Sequence, residues 1–376
     1  MKKKVIIPES LKPMYDLGEI DNELDGIYTT GVSESDIGKY MSAYYSDTET
    51  VMNRPFELNM LYRNVFENAL STVRPTDIKI TLELGCGKGY ATYAIADLIP
   101  ATKIIASELS IAMLLSHRGT GLANFQQYEN RIIRCQVNAD DKTFRDSCFD
   151  LVVGTGILHH VFRPLQVIKE VGRVLKPNGV AIFIEPFEGG FSLLQIAYEI
   201  LLLKHEQNNF ILNDQQRDYL SFYVEMWKKL KVDAPHEENV ISGLDDKWIF
   251  SYDYFDETAR IAGFDAVHKS PLLSPTNHVY ELYKAHTIGN GIELPPEADE
   301  IIYLIQRSFS SRQLTMLHGD GILVLQKQSI STNQIDQVES DMGTRRMLKR
   351  ILKAISPTYR KVDAIHDILI SQKKVL

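Results

Sequence analysis

Apolar positions along this chain change their period in a regular way from residue 78 onward. Ile78 to Leu84 alternates apolar and polar residues throughout, which predicts a strand, and a glycine cluster closes it. Tyr90 to Ile99 has helical spacing and stops at Pro100. The cycle then repeats. Lys103 to Ala106, Arg131 to Val137, Phe149 to Gly154 and Gly179 to Ile184 read as strands, and Ser110 to His117 and Leu165 to Leu175 as helices between them. Such alternation implies an α/β fold, a doubly wound parallel sheet with helices on both faces.

After Gly189 the alternation breaks down into a helical, aromatic-rich stretch to about Tyr252, with Phe191, Tyr198, Phe210, Tyr219, Phe222, Tyr223, Trp227 and Trp248. That stretch suits an apolar lid over a substrate, a homodimer interface or the core of a helical subdomain. The pattern resumes with a helix from Tyr254 to Ala262, a strand at Asp265 to Lys269 and a last strand at Gly321 to Lys327. A second insertion, Ser274 to Leu317, lies between those strands, and Pro295-Pro296 marks a helix start within it. The expected divisions are a helical N-terminal cap (1–75), a ligand-binding core (76–188), a helical insertion (189–253), the end of the core sheet with its own insertion (254–328) and a helical C-terminal tail (329–376).

Composition narrows the function classes. The 376 residues are 44% hydrophobic with a formal net charge of -8, so a core is affordable and a broad nucleic-acid footprint is not expected. The tail departs from this acidity: from Thr344 to Lys361 it holds seven cations and no acid, with Met347, Leu348, Ile351, Leu352 and Ile355 at helical spacing. A basic amphipathic helix suits an anionic membrane surface, a protein partner, or packing on the body or on a second subunit. Three cysteines without metal-ligand spacing, no signal-peptide core and no run of roughly 18 apolar residues give the expectation of a cytoplasmic protein with no metal.

Chemistry concentrates at the carboxyl ends of the expected strands. Glu83-Leu84-Gly85-Cys86-Gly87-Lys88-Gly89 places three alternate glycines between a strand and a helix, so backbone can lie against a ligand. A dinucleotide fingerprint would have its third glycine at position 90, where Tyr90 stands, and Glu83 would repel a pyrophosphate but attract an ammonium. Both departures disfavour a nicotinamide oxidoreductase. Glu108, about twenty residues past the glycines, suits a pair of ribose hydroxyls. Asn138 or Asp140, with Ala139 between them, suits an adenine. His159 and His160 follow the fourth strand and are candidate proton acceptors, and Glu185 ends the fifth strand at the same edge. Pocket shaping is the alternative for both histidines, and packing or a polar rim for Glu185.

These pieces, in this order, resemble the class I S-adenosylmethionine-dependent methyltransferases, nearest the subgroup that methylates small molecules. The resemblance is strong over Thr81 to Pro186 and weak over Tyr254 to Lys327. It implies a Rossmann-like methyltransferase fold with a mostly parallel seven-stranded sheet and S-adenosyl-L-methionine as cofactor. It also implies cofactor contacts from Glu83, Gly85, Cys86, Gly87, Gly89, Glu108, Leu109, Asn138, Ala139 and Gly154, with His159, His160 and Glu185 as catalytic candidates. The implied activity is methyl transfer to an O, N or C atom of a small-molecule acceptor, a sugar or another biosynthetic intermediate, the alternative being a non-catalytic binding or assembly module. Two positions depart from the family pattern: Asn138 stands where Asp is common, and Asn178 where Gly is common. Asn accepts left-handed geometry, so the second departure is expected to be harmless.

Overall fold

The computed structural model describes residues 22–24, 27–29, 55–73, 75, 77–119, 123–139, 141–207, 210–232, 245–272 and 278–327. The basic tail, Asp140 and the N-terminal tyrosines Tyr40, Tyr44 and Tyr45 lie outside them. The sheet is built from β1 (Asn22–Leu24), β2 (Ile27–Thr29), β3 (Ile80–Leu84), β4 (Lys103–Glu108), β5 (Ile132–Gln136), β6 (Phe149–Thr155), β7 (Leu175–Pro186), β8 (Ala266–Pro271) and β9 (Asp320–Gln326). Their spatial order is β1-β2-β5-β4-β3-β6-β7-β9-β8. From β3 onward this is the expected seven-stranded sheet, parallel except for β9, which runs against both β7 and β8.

The chain moves outward from β3 through β4 to β5, then returns to the other side of β3 as β6. That reversal opens a crevice at the carboxyl ends of β3 and β6, where open α/β sheets bind ligands. The candidate residues that are described all lie at this edge or in the loops that leave it.

Two short strands extend the sheet beyond seven. The N-terminal region is not helical throughout: before α1 (Pro55–Val73) it holds the antiparallel pair β1 and β2, and β2 adds in parallel to β5. Leu24 pairs with Ile27 across Asp25-Gly26, a dipeptide that favours two-residue hairpin turns. Ile27 and Thr29 are buried, so the hairpin covers what would be an open β5 edge.

Residues alternate across each strand, and the two faces carry separate cores. Leu151 and Val153 face α1 and α2 (Tyr90–Leu98), packing with Phe66, Ala94 and Ile95. Val152, Leu82 and Phe183 face the other layer, where α4 (Pro164–Val174) supplies Val167 and Val171 and α7 (Tyr252–Ile261) supplies Phe255 and Ala259. The third helix in chain order, α3 (Ile111–Gly119), connects β4 to β5. Asn178 has φ 65, the left-handed geometry anticipated for that turn.

The two insertions share one core. Helices α5 (Glu188–Glu206) and α6 (Asp214–Leu230) of the first pack with α8 (His278–Gly289) and α9 (Pro296–Arg307) of the second, around Leu194, Tyr198, Trp227, Tyr283 and Ile302. Tyr198 and Trp227 are 0% and 1% exposed. Of the three readings of the aromatic stretch, the core of a helical subdomain accounts for these side chains. A final short helix, α10 (Ser311–Met316), leads into β9.

The contact of α4 with α7 is unusually tight. A Cβ added at Gly172 would sit 2.3 Å from the carbonyl oxygen of Ala262 at the end of α7. Backbone cannot step aside cheaply, so Gly172→Ala should destabilise the protein by about 1–3 kcal/mol, the usual cost of overpacking. A urea unfolding midpoint equal to that of the unaltered protein would contradict this contact.

Candidate active site

The glycine loop is shaped by what lies on either side of it. Gly85, Gly87 and Gly89 all have positive φ, at 66, 48 and 88. A Cβ on Gly85 would approach Ile157 to 2.9 Å, so this loop lies directly against the loop after β6. A Cβ on Gly89 would come within 2.6 Å of the His117 ring, so only glycine fits there. At Gly87 an added Cβ would meet nothing within 4 Å among the described residues, so as far as these go the middle of the loop has open space before it.

Two acids stand beneath the loop. Glu83 is 1% exposed, and its Oε2 accepts a hydrogen bond from the Thr92 hydroxyl on α2. Its Oε1 is buried and has no hydrogen-bond partner among the described residues. Burial pushes the Glu83 carboxyl up to about 8, against the lowering effect of Thr92. Glu108 ends β4 and accepts three backbone amides, from Gly87 at 3.1 Å, Leu109 at 2.8 Å and Ser110 at 3.1 Å. Burial raises its carboxyl too, despite those amides. Glu108 therefore fastens the glycine loop to the end of β4.

At the end of β5 the backbone carries most of the order. The Val137 amide donates to the Glu108 carbonyl, the Asp141 amide to the Asn138 carbonyl, and the Gln136 side chain to the Leu109 carbonyl. Asn138 is buried and Ala139 half-buried beside it. Gly154, in β6, is packed between Ile157 and Phe183, where a Cβ would lie 2.6 Å and 2.8 Å from their side chains. Cys86 is buried in the loop, which pushes its thiol well up.

The structure brings Glu185 and the two histidines together. Glu185 Oε1 accepts the amides of Ile157 and Leu158, and Oε2 accepts the amide of His159 and contacts His159 Nδ1 at 2.7 Å. A carboxylate has about four lone-pair sites, and these four donors use them. Glu185 is thus an anchor for the loop and the imidazole, with no lone pair left to act as a base. Because a carboxylate only accepts, His159 Nδ1 carries the proton and Nε2 is the atom left for chemistry. His160 Nδ1 lies 3.1 Å from the Asp245 carbonyl, and the two rings stand 4.0 Å apart.

Several contributors were not legible as site residues. Residues 245–250 return from the first insertion across the histidines, the Lys247 amide donating to the His159 carbonyl. This brings Asp246 Oδ1 to 3.5 Å from His159 Nε2 and 3.6 Å from His160 Nδ1. These three side chains have donor atoms within 4.8 Å of one another, near enough to span one cation. From α1, Tyr62 reaches Thr155 at the end of β6. Thr92 and His117 stand behind Glu83, and the only sequence signal for them is that each lies on a helix flanking the loop.

A family profile described as a methyltransferase domain matches residues 82–183. The chain is 28% identical over 130 residues to malonyl-[acyl-carrier protein] O-methyltransferase of Legionella pneumophila, a match covering 35% of this chain and 44% of that protein. It is 27% identical over 134 residues to the human mitochondrial arginine-hydroxylase NDUFAF5, covering 35% of each. It is 28% identical over 98 residues to 27-O-demethylrifamycin SV methyltransferase of Amycolatopsis mediterranei, covering 26% of this chain and 35% of that protein. Each match spans less than half the length of the relative.

Residues 82–183 form a class I S-adenosylmethionine-dependent methyltransferase domain. The residues present fit that cofactor. Among the described residues Glu83 offers a buried carboxyl oxygen with no partner, of a kind that could accept an ammonium, and the loop at Gly87 has room against its backbone. Among the described residues no helix is long and apolar enough to cross a membrane.

The two histidines should titrate far apart. Burial pulls His159 down, but the Glu185 hydrogen bond and the charges of Glu185, Asp246 and Asp320 outweigh it, and its pKa lies above the ordinary 6.5. Burial and the neighbouring His159 push His160 down to about 2. The His159 proton stabilises the fold fully below pH about 6.5, and that contribution fades as pH rises through the raised value. His160 acts in the opposite sense: its contribution is full above pH about 6.5 and is lost as pH falls, because the unfolded chain binds a proton the folded one refuses. In NMR titrations one imidazole should change above pH 6.5 while the other stays neutral as far down as the fold persists. A shared midpoint would contradict the arrangement.

Proposed function

We propose that this protein transfers the methyl group of S-adenosylmethionine to a small-molecule acceptor, with His159 Nε2 taking the acceptor's proton. The observation that carries the reading is the His159–Glu185 pair, set beside the glycine loop by the contact of Gly85 with Ile157. The bound cofactor supplies an electrophilic methyl carbon. In this reading Glu83 would meet its ammonium and Glu108 its ribose hydroxyls, with Leu109, Asn138 and Ala139 around the adenine. Three of the roughly four lone-pair sites of Glu108 are held by the amides of Gly87, Leu109 and Ser110, so an incoming ribose would share this carboxylate with the loop. Residues 245–250 close over the histidines and limit water beside the reacting atoms.

The acceptor atom we favour is oxygen, of a sugar or another biosynthetic intermediate. One relative is named an O-methyltransferase and another acts on a 27-O-demethyl compound by its name. An imidazole that removes a hydroxyl proton during transfer fits such an acceptor. A second reading is a cofactor-binding module without methyl transfer; one relative is named for arginine hydroxylation, so the domain accompanies other chemistry. The experiment that separates them is mass spectrometry of metabolites gaining one methyl group when the purified protein and S-adenosylmethionine meet a host extract. A methylated product is expected, and cofactor binding with no product would favour the second reading.

Glu108→Ala should weaken S-adenosylmethionine binding by about 1.5–3 kcal/mol, the range for hydrogen bonds to a charged group. Calorimetry showing no change would remove Glu108 from the cofactor site. His159→Ala should lower turnover on the identified acceptor about 100-fold while leaving cofactor affinity unchanged. A loss of less than about tenfold would leave His159 a pocket-shaping residue.

A further inference from the structure

Behind Glu83 runs a chain of buried polar side chains that the reaction does not use. His117, on α3, is 0% exposed, and Arg134, on β5, is 6% exposed. Arg134 Nε lies 3.0 Å from His117 Nδ1, and His117 Nε2 lies 2.9 Å from Thr92 Oγ1, which in turn bonds Glu83 Oε2. Arg134 also makes paired contacts of 2.9 Å with both oxygens of Glu129, so its charge is balanced locally.

The direction of every bond follows from the donor inventory. A guanidinium N–H only donates, so His117 Nδ1 is the acceptor. A neutral imidazole then carries its proton on Nε2, which donates to Thr92 Oγ1. Burial and the Arg134 charge push the His117 pKa down to about 3, in keeping with that neutral form. The Thr92 hydroxyl has its own hydrogen left to donate, and the Glu83 carboxylate takes it.

We propose that His117 is a positioning residue for cofactor binding: through Thr92 it fixes the rotamer of Glu83 and leaves Oε1 as the oxygen offered to the cofactor's ammonium. This deepens the function proposed above and rests on its assignment of the loop to S-adenosylmethionine. Two observations independent of the relay point the same way. Glu83 Oε1 is buried without a partner among the described residues, and Gly89 of the loop lies so close to the His117 ring that no side chain fits there. The imidazole thus supports both the loop backbone and the acid beneath it.

The test compares Thr92→Val, Thr92→Ser, His117→Leu and His117→Gln in the full chain. Binding of S-adenosylmethionine and of 5′-methylthioadenosine is measured by calorimetry. The second ligand keeps adenine and ribose but lacks the ammonium. Valine is close in shape to threonine without the hydroxyl, and glutamine retains an acceptor for Arg134 and a donor for Thr92. Thr92→Val and His117→Leu should weaken S-adenosylmethionine roughly tenfold or more, as expected for a lost hydrogen bond to a charged group, and leave 5′-methylthioadenosine within about twofold. Thr92→Ser and His117→Gln should restore most of the loss.

A pH profile adds a second readout. With Glu83 held near 8, S-adenosylmethionine affinity should rise as pH rises toward that value, since an ammonium needs the carboxylate. Loss of the Thr92 donor should move the profile to higher pH. Besides His117, the titratable groups facing Glu83 are Glu108 on β4, Cys86 in the loop and Tyr62 on α1, and the variants alter none of them. Equal loss for both ligands, or no loss with an unmoved pH profile, overturns the relay. If the unaltered protein binds neither ligand, the cofactor assignment fails and the relay falls with it.

Discussion

A carboxyl group buried at the end of the central strand carries a desolvation cost, and the glycine loop, Thr92 and His117 are arranged around it. Glu83 is nearly inaccessible, yet among the described residues only one of its oxygens finds a partner. Leaving a buried acceptor unpaired costs about 1–3 kcal/mol, more when it is charged. Such a cost persists when a ligand relieves it. The three left-handed glycines of the loop above let backbone approach, and the outward course of β3, β4 and β5 followed by the return to β6 leaves the crevice open at that point.

Glu185, the buried acid near the end of β7, works by the opposite principle. Glu185 is as buried as Glu83 but saturated, by three amides and an imidazole. One carboxylate at this edge is therefore held in reserve and the other is spent on order. That difference separates a group suited to meet a ligand from one suited to orient a base, although both stand at the carboxyl ends of strands, β3 and β7, that flank β6 in the same sheet. The return of residues 245–250 across His159 and His160 then adds Asp246 to the environment of the imidazoles.

Most of the sheet was legible because its strands are buried on both faces and bounded by glycine, proline or helical periodicity. Glu83, the glycines, Glu108 and the histidines were legible for a related reason: topology puts strand ends at one edge, so residues closing consecutive strands meet there. The short hairpin at 22–29 was missed because three-residue strands carry too few positions to show a period; Asp25-Gly26 was its one signal. Long-range partners were missed for another reason. Asp246 lies 86 and 87 positions from the histidines and His117 lies 34 from Glu83, and no local pattern reports such pairings. Glu185 was read from its place at a strand end as a possible acid or base, and the amides that exhaust it come from a loop 26 to 28 residues earlier.

A crystal structure of the full chain with S-adenosylhomocysteine tests the central claim most directly, since that compound keeps the ammonium, the ribose and the adenine. The account predicts the amino group within hydrogen-bond reach of Glu83 Oε1, with Thr92 still on Oε2, and the ribose hydroxyls on Glu108. An amino group bound away from Glu83, with Oε1 still unpaired beneath the glycine loop, would contradict it.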